Sequence, residues 1–71
     1  MLDIKKLAAQ IKTSGLKKGY LAYQLGLSNA AFYNKRNCKA EFKASEIGQL
    51  ARLLGLSAPL VQEIFFNYDV N

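Results

Sequence analysis

The chain has 71 residues, a net charge of +5 and no histidine. That length allows one domain with a core so small that pairing of two copies is expected. A single cysteine, Cys38, excludes an internal disulfide framework and a multi-cysteine zinc site, and no apolar run approaches the roughly 20 residues of a membrane span. The opening Met1, Leu2 and Asp3 lack the basic and apolar regions of a signal peptide. These features predict a soluble cytoplasmic protein that does not engage a membrane.

Ile4, Leu7, Ala8 and Ile11 recur at i, i+3, i+4 and i+7, which predicts a first amphipathic helix over about 3–13, stopped by Ser14 and Gly15. Leu21, Ala22 and Leu25 mark one face of a shorter second helix from about 17, and Gly26 follows where a left-handed cap is usual. Ser28 supplies a hydroxyl to cap a third helix that runs to about 35. The stretch Asn37, Cys38, Lys39 and Ala40 reads as a turn, and Phe42 after it is expected to point inward under the loop. Ile47, Leu50, Ala51 and Leu54 repeat the helical stripe over about 44–54, with Glu46 near the positive end and Gly55 after the last turn. Ser57 caps a fifth helix over about 58–65 with Pro59 in its first turn, so that Leu60, Val61, Ile64 and Phe65 close the core. Residues 66–71 read equally as a frayed end, a short strand or a dimer contact. No internal repeat, linker or strand-like alternation is present, and the whole chain reads as one all-α, five-helix domain.

Charge is unevenly placed along this frame. Lys12, Lys17, Lys18, Lys35, Arg36, Lys39 and Lys43 face a single acid, Glu41, over the middle of the chain. Elsewhere Lys5, Lys6 and Arg52 are outweighed by Asp3, Glu46, Glu63 and Asp69. A concentrated basic region is the footprint of a polyanion-binding surface, and also an ordinary device for solubility.

Helices two and three are separated by about three residues, Gly26, Leu27 and Ser28, the spacing of a helix-turn-helix over about 17–35. Ala22 is small where the helices must approach, Gly26 suits a positive φ, and Leu21, Leu25, Leu27 and Phe32 can pack between them. The run Leu21-Ala22-Tyr23-Gln24-Leu25-Gly26-Leu27-Ser28 followed by Phe32 resembles the signature of phage repressor and Cro-type domains. Phe42, Glu46-Ile47, Leu53-Leu54-Gly55-Leu56-Ser57 and Ile64-Phe65-Phe66 resemble the later helices of small Gram-positive-phage regulators.

The resemblance implies a lambda-repressor-like fold that binds an operator in double-stranded DNA as a homodimer, with the third helix, about 28–35, in the major groove. Asn29, Ala30, Tyr33 and Asn34 then face the bases; the asparagines suit adenine, and Ala30 or the Tyr33 ring suits a thymine methyl. Lys17, Lys18, Ser28, Lys39 and Lys43 then lie along phosphates. Phe65, Phe66 and Tyr68 offer apolar surface for a dimer or partner seam.

Three positions depart from the family pattern. Lys43 replaces the usual Ser or Thr cap of the fourth helix, Cys38 replaces a turn glycine, and Lys35 stands at an apolar position, its stem expected to pack while its ammonium reaches solvent. The small, weakly polar third helix also suits a protein surface. The second function class is accordingly an antirepressor or modulator that uses its helix-turn-helix surface to engage a partner repressor. Catalysis is set aside, because there is no histidine, no acids at metal or acid–base spacing and no glycine-rich phosphate loop, and no cofactor or metal is implied.

Overall fold

The computed structural model describes residues 1–66. Asp3 begins the first helix by accepting the backbone N–H of Lys6 at 3.0 Å, and α1 runs Ile4–Ser14 to a left-handed Gly15 with φ of 73°. Ser14 then ties the helix to its exit, since its hydroxyl donates to Ile11 O at 2.6 Å and accepts from Leu16 N at 3.1 Å. The second helix, α2, spans Lys18–Gln24; Lys17 precedes it without a side-chain cap. Leu25 to Ser28 then connect it to α3, Asn29–Arg36.

In that connection Gly26 takes φ of 71°, and Leu27 N donates back to Ala22 O at 2.9 Å. A side chain at Gly26 would strain the left-handed turn, which accounts for a glycine there. Ser28 Oγ accepts from Ala31 N at 3.0 Å and so closes the start of α3.

The last two helices are α4, Ala44–Leu54, and α5, Ala58–Phe65, joined through a left-handed Gly55 and a Ser57 cap. Their limits coincide with those expected from the sequence. The first three helices differ by a residue at one or both ends because Asp3 and Lys17 are caps and each helix runs a residue further or stops at its cap.

All five helices contribute to one core. Leu7, Leu21, Phe32, Leu50 and Ile64 are fully buried, and Ile11, Ala22, Leu25 and Phe65 complete the buried set. α1 packs against α4 and α5, whereas α2 packs against α3 and α4. Asp3 N also donates to Ile64 O at 2.7 Å, joining the start of α1 to α5.

Phe42 enters from the connection between α3 and α4, as its sequence context predicts. Its ring meets Phe32 at 6.2 Å and Phe65 at 5.7 Å between centroids, both edge to face. Phe65 is thus engaged with the core at 7% exposure, which corrects its expected place in an outward seam. Phe66 is 38% exposed, and Tyr68 lies outside the described residues. No helix among the described residues is long and apolar enough to cross a membrane.

Lys35 is the second correction. Its ammonium does not reach bulk solvent but pairs with Glu46 at 2.6 Å, the two side chains being 12% and 8% exposed. Lys43 gives α4 no capping oxygen, as expected, but Glu46 Oε1 accepts Lys43 N at 2.9 Å and supplies the returning half of a capping box.

Cys38 holds φ of 63°, the left-handed conformation in which a side chain is strained. Cys38→Gly is therefore expected to raise stability by about 0.5–1 kcal/mol in urea unfolding, and a lower midpoint would contradict strain at this residue. Phe32→Ala should remove about 3–5 kcal/mol, because the fully buried ring leaves a cavity in the core beside Phe42. A loss under 1 kcal/mol by the same measurement would place Phe32 outside the supporting core.

Candidate functional site

With one buried side chain, Phe32, α3 is anchored on one side and open on the other. At about 100° per residue, Asn29, Ala30, Tyr33 and Asn34 fall within one arc of the helix, with Ala31, Phe32 and Lys35 opposite. All four residues of the open arc are exposed, Tyr33 by 50%. Asn29 lies close to the first turn of α2, since a Cβ on Gly19 would stand 3.7 Å from its Oδ1. The backbone end of Asn34 is already engaged, its carbonyl accepting from Lys39 N at 2.8 Å, while its carboxamide remains at the surface.

The expected phosphate contacts are exposed as well. Lys17 and Lys18 lie at the start of α2, Lys39 follows α3, and Lys43 precedes α4. None of these four ammonium groups pairs with a carboxylate among the described residues; the ion pairs there are Lys6 with Glu63 at 2.8 Å and Lys35 with Glu46. Ser28 is exposed too, but its oxygen already accepts the Ala31 N–H, leaving its O–H hydrogen as the group available to an acceptor.

Two features went unassigned in the sequence. Arg36 ends α3 with its guanidinium carbon 4.8 Å from the Phe32 ring centre and 5.6 Å from that of Tyr33. The signal was present, since Arg36 lies three and four residues beyond two aromatic residues on a helix. Tyr20 and Tyr23 of α2 are 45% and 78% exposed, a pair of aromatic faces set three residues apart. Their signal was their position off the Leu21, Ala22 and Leu25 stripe.

Burial alone pushes the Glu46 carboxyl up. The hydrogen bond from Lys35, the Lys43 backbone N–H and the charges of both lysines outweigh it and hold the group below the usual carboxylate range. Glu46 thereby fixes the end of α3, through Lys35, to the start of α4. No group of three or more His, Cys, Asp or Glu among the described residues could hold a metal ion.

Comparison of the chain with protein-family models, with curated proteins and with solved structures finds no match. What the surface can do follows from its own chemistry: two carboxamides, a phenol and a methyl on one helix face, with unpaired cations at its margins.

A carboxyl whose folded value lies below its unfolded value near 4.3 contributes stability that is fully present above that value and is lost as pH falls through the folded one. Urea unfolding between about pH 7 and pH 2.5 should show this acid loss, and Glu46→Gln should remove the share due to this residue. Lys35→Met strands the Glu46 carboxylate and should cost about 3–5 kcal/mol at neutral pH. A Lys35→Met variant as stable as the parent would show that the pair does not hold α3 in place.

Proposed function

We propose that the chain is a sequence-specific DNA-binding transcriptional regulator in which α2 and α3 form a helix-turn-helix and α3 enters the major groove. The observation that carries this reading is the open face of α3. Asn29, Ala30, Tyr33 and Asn34 are exposed together on a helix whose opposite side is fixed by Phe32 and Lys35. A carboxamide can accept from adenine N6 and donate to N7, and the Ala30 methyl and Tyr33 ring can pack on a thymine methyl, so an adenine- and thymine-rich half-site is favoured. Lys17, Lys18, Lys39 and Lys43, with the Ser28 hydroxyl, supply sequence-independent contacts to phosphates that set the helix in register. Binding of two copies to half-sites one helical turn apart agrees with the resemblance to repressor domains, with Phe66 and Tyr68 as the residues offered to a partner copy.

A second reading has its own support. Tyr20, Tyr23 and Tyr33 expose aromatic surface on α2 and α3, and tyrosine is enriched where proteins bind proteins. On this reading the chain is a small antirepressor that occupies a partner repressor through the same helices.

Selection from a random duplex library at low salt, followed by binding across a salt series with and without a candidate repressor, distinguishes the two. A regulator selects a site, and log K falls against log salt with a slope of about −0.9 per phosphate neutralised. Lys17→Ala should then weaken binding to every sequence and flatten that slope by about one. Asn34→Ala should reduce the preference for the selected site by about 1–3 kcal/mol and leave non-specific binding nearly unchanged. Failure to select any site, together with a stoichiometric complex that removes the repressor from its operator, would leave the antirepressor reading in place of the regulator.

A further inference from the structure

Arg36 occupies the border between the buried and open arcs of α3. Its guanidinium rests over Phe32 and beside Tyr33, and Lys39 Nζ lies 5.6 Å from the centre of the same Tyr33 ring. Neither cation pairs with a carboxylate among the described residues, and Arg36 Nε is buried with no hydrogen-bond partner. A guanidinium carries five N–H donors in a planar fork, and stacking on ring faces uses none of them.

The arrangement leaves hydrogen-bonding capacity unused in the free protein. Burial pushes the Arg36 guanidinium below its usual value, with the Tyr33 phenol acting in the opposite direction. A second cation sits at the same ring; the ring faces and the negative end of α3 attract both, but no carboxylate among the described residues pairs with either. Covering Phe32 requires only an apolar stem, which methionine or lysine would also provide. The fork and the second cation are left without a structural task.

We propose that Arg36 and Lys39, held against the ring of Tyr33, bind one phosphodiester group of a nucleic-acid backbone. Arg36 gives paired N–H donors to two non-bridging oxygens, and Lys39 adds a point charge. The site rests on the DNA-binding reading and adds to it a phosphate grip beside a base-facing residue. A phosphodiester backbone is favoured over an acidic peptide because Lys17, Lys18 and Lys43 are also exposed and unpaired. The surface thus offers cations at several separated points, as a regularly charged polymer requires.

The test uses a 20-base-pair duplex of random sequence, so that only backbone contacts contribute. Wild type, Arg36→Gln and Arg36→Lys are compared by fluorescence anisotropy across a salt series, and the Arg36 Nε–H resonance of the wild type is followed by NMR as duplex is added. Arg36→Gln should bind about tenfold more weakly near 0.1 M salt, with the slope flattened by about one. Arg36→Lys should keep the wild-type slope and lose part of the affinity, because the charge stays and the fork is gone. The Nε–H resonance should shift, a readout that does not depend on how well either variant folds. An unchanged affinity and slope in Arg36→Gln, with an unmoved Nε–H, would overturn the grip and leave DNA binding intact. A wild-type protein that binds no duplex at low salt would overturn both. Movement of the same resonance by polyglutamate but not by duplex would overturn the phosphodiester assignment and mark the site as a protein surface.

Discussion

The ring of Phe42 meets those of Phe32 and Phe65 in edge-to-face contacts, and the position of α3 depends on them. A helix of eight residues is too short to persist in water by itself, so its order has to come from packing. Phe32 is the one buried residue it offers. Because Phe42 belongs to the connection between α3 and α4, the same ring that seats α3 also shapes the loop that carries Lys39 and Lys43. The helix face and the cations at its margin in this way share one support, a cluster of three aromatic residues.

The Lys35–Glu46 pair adds direction to that packing. Apolar contacts tolerate sliding, whereas an ammonium bonded to a nearly buried carboxylate fixes a distance and an orientation. Glu46 also accepts the Lys43 N–H, so one carboxylate closes the start of α4 and fixes the end of α3. A leucine at position 35 could bury as much apolar surface without setting the rotation of α3 about its own axis. That rotation decides which side chains α3 presents.

The extent to which the fold could be read in the sequence follows from the range of each interaction. Helices α4 and α5 were legible to the residue because their signals are local: a stripe of apolar residues, a capping serine, a glycine past the end and a proline in the first turn. Phe42 was legible because an aromatic residue between a polar turn and an amphipathic helix has few places to go. The Lys35 ammonium was misplaced because its partner lies eleven positions away on another helix, a pairing no helical period shows. Phe65 was ambiguous for a related reason, since a terminal helix shows which face is apolar but not how far round the core reaches. The open arc of α3 was expected from the resemblance to repressor domains, and its four residues are exposed. The bearing of that arc on a partner was not legible, since carboxamides, a phenol and a methyl satisfy the requirements of both a groove and a protein.

The hydrogen bond from Asp3 N to Ile64 O makes the first helix depend on the last. Leu7 and Ile11 are covered by α4 and α5, so the apolar face of α1 has no complete cover until residue 65 has been added to the growing chain. During synthesis α1 therefore remains an open amphipathic surface until α5 has followed it out of the ribosome, and over that interval it is available to whatever binds such surfaces.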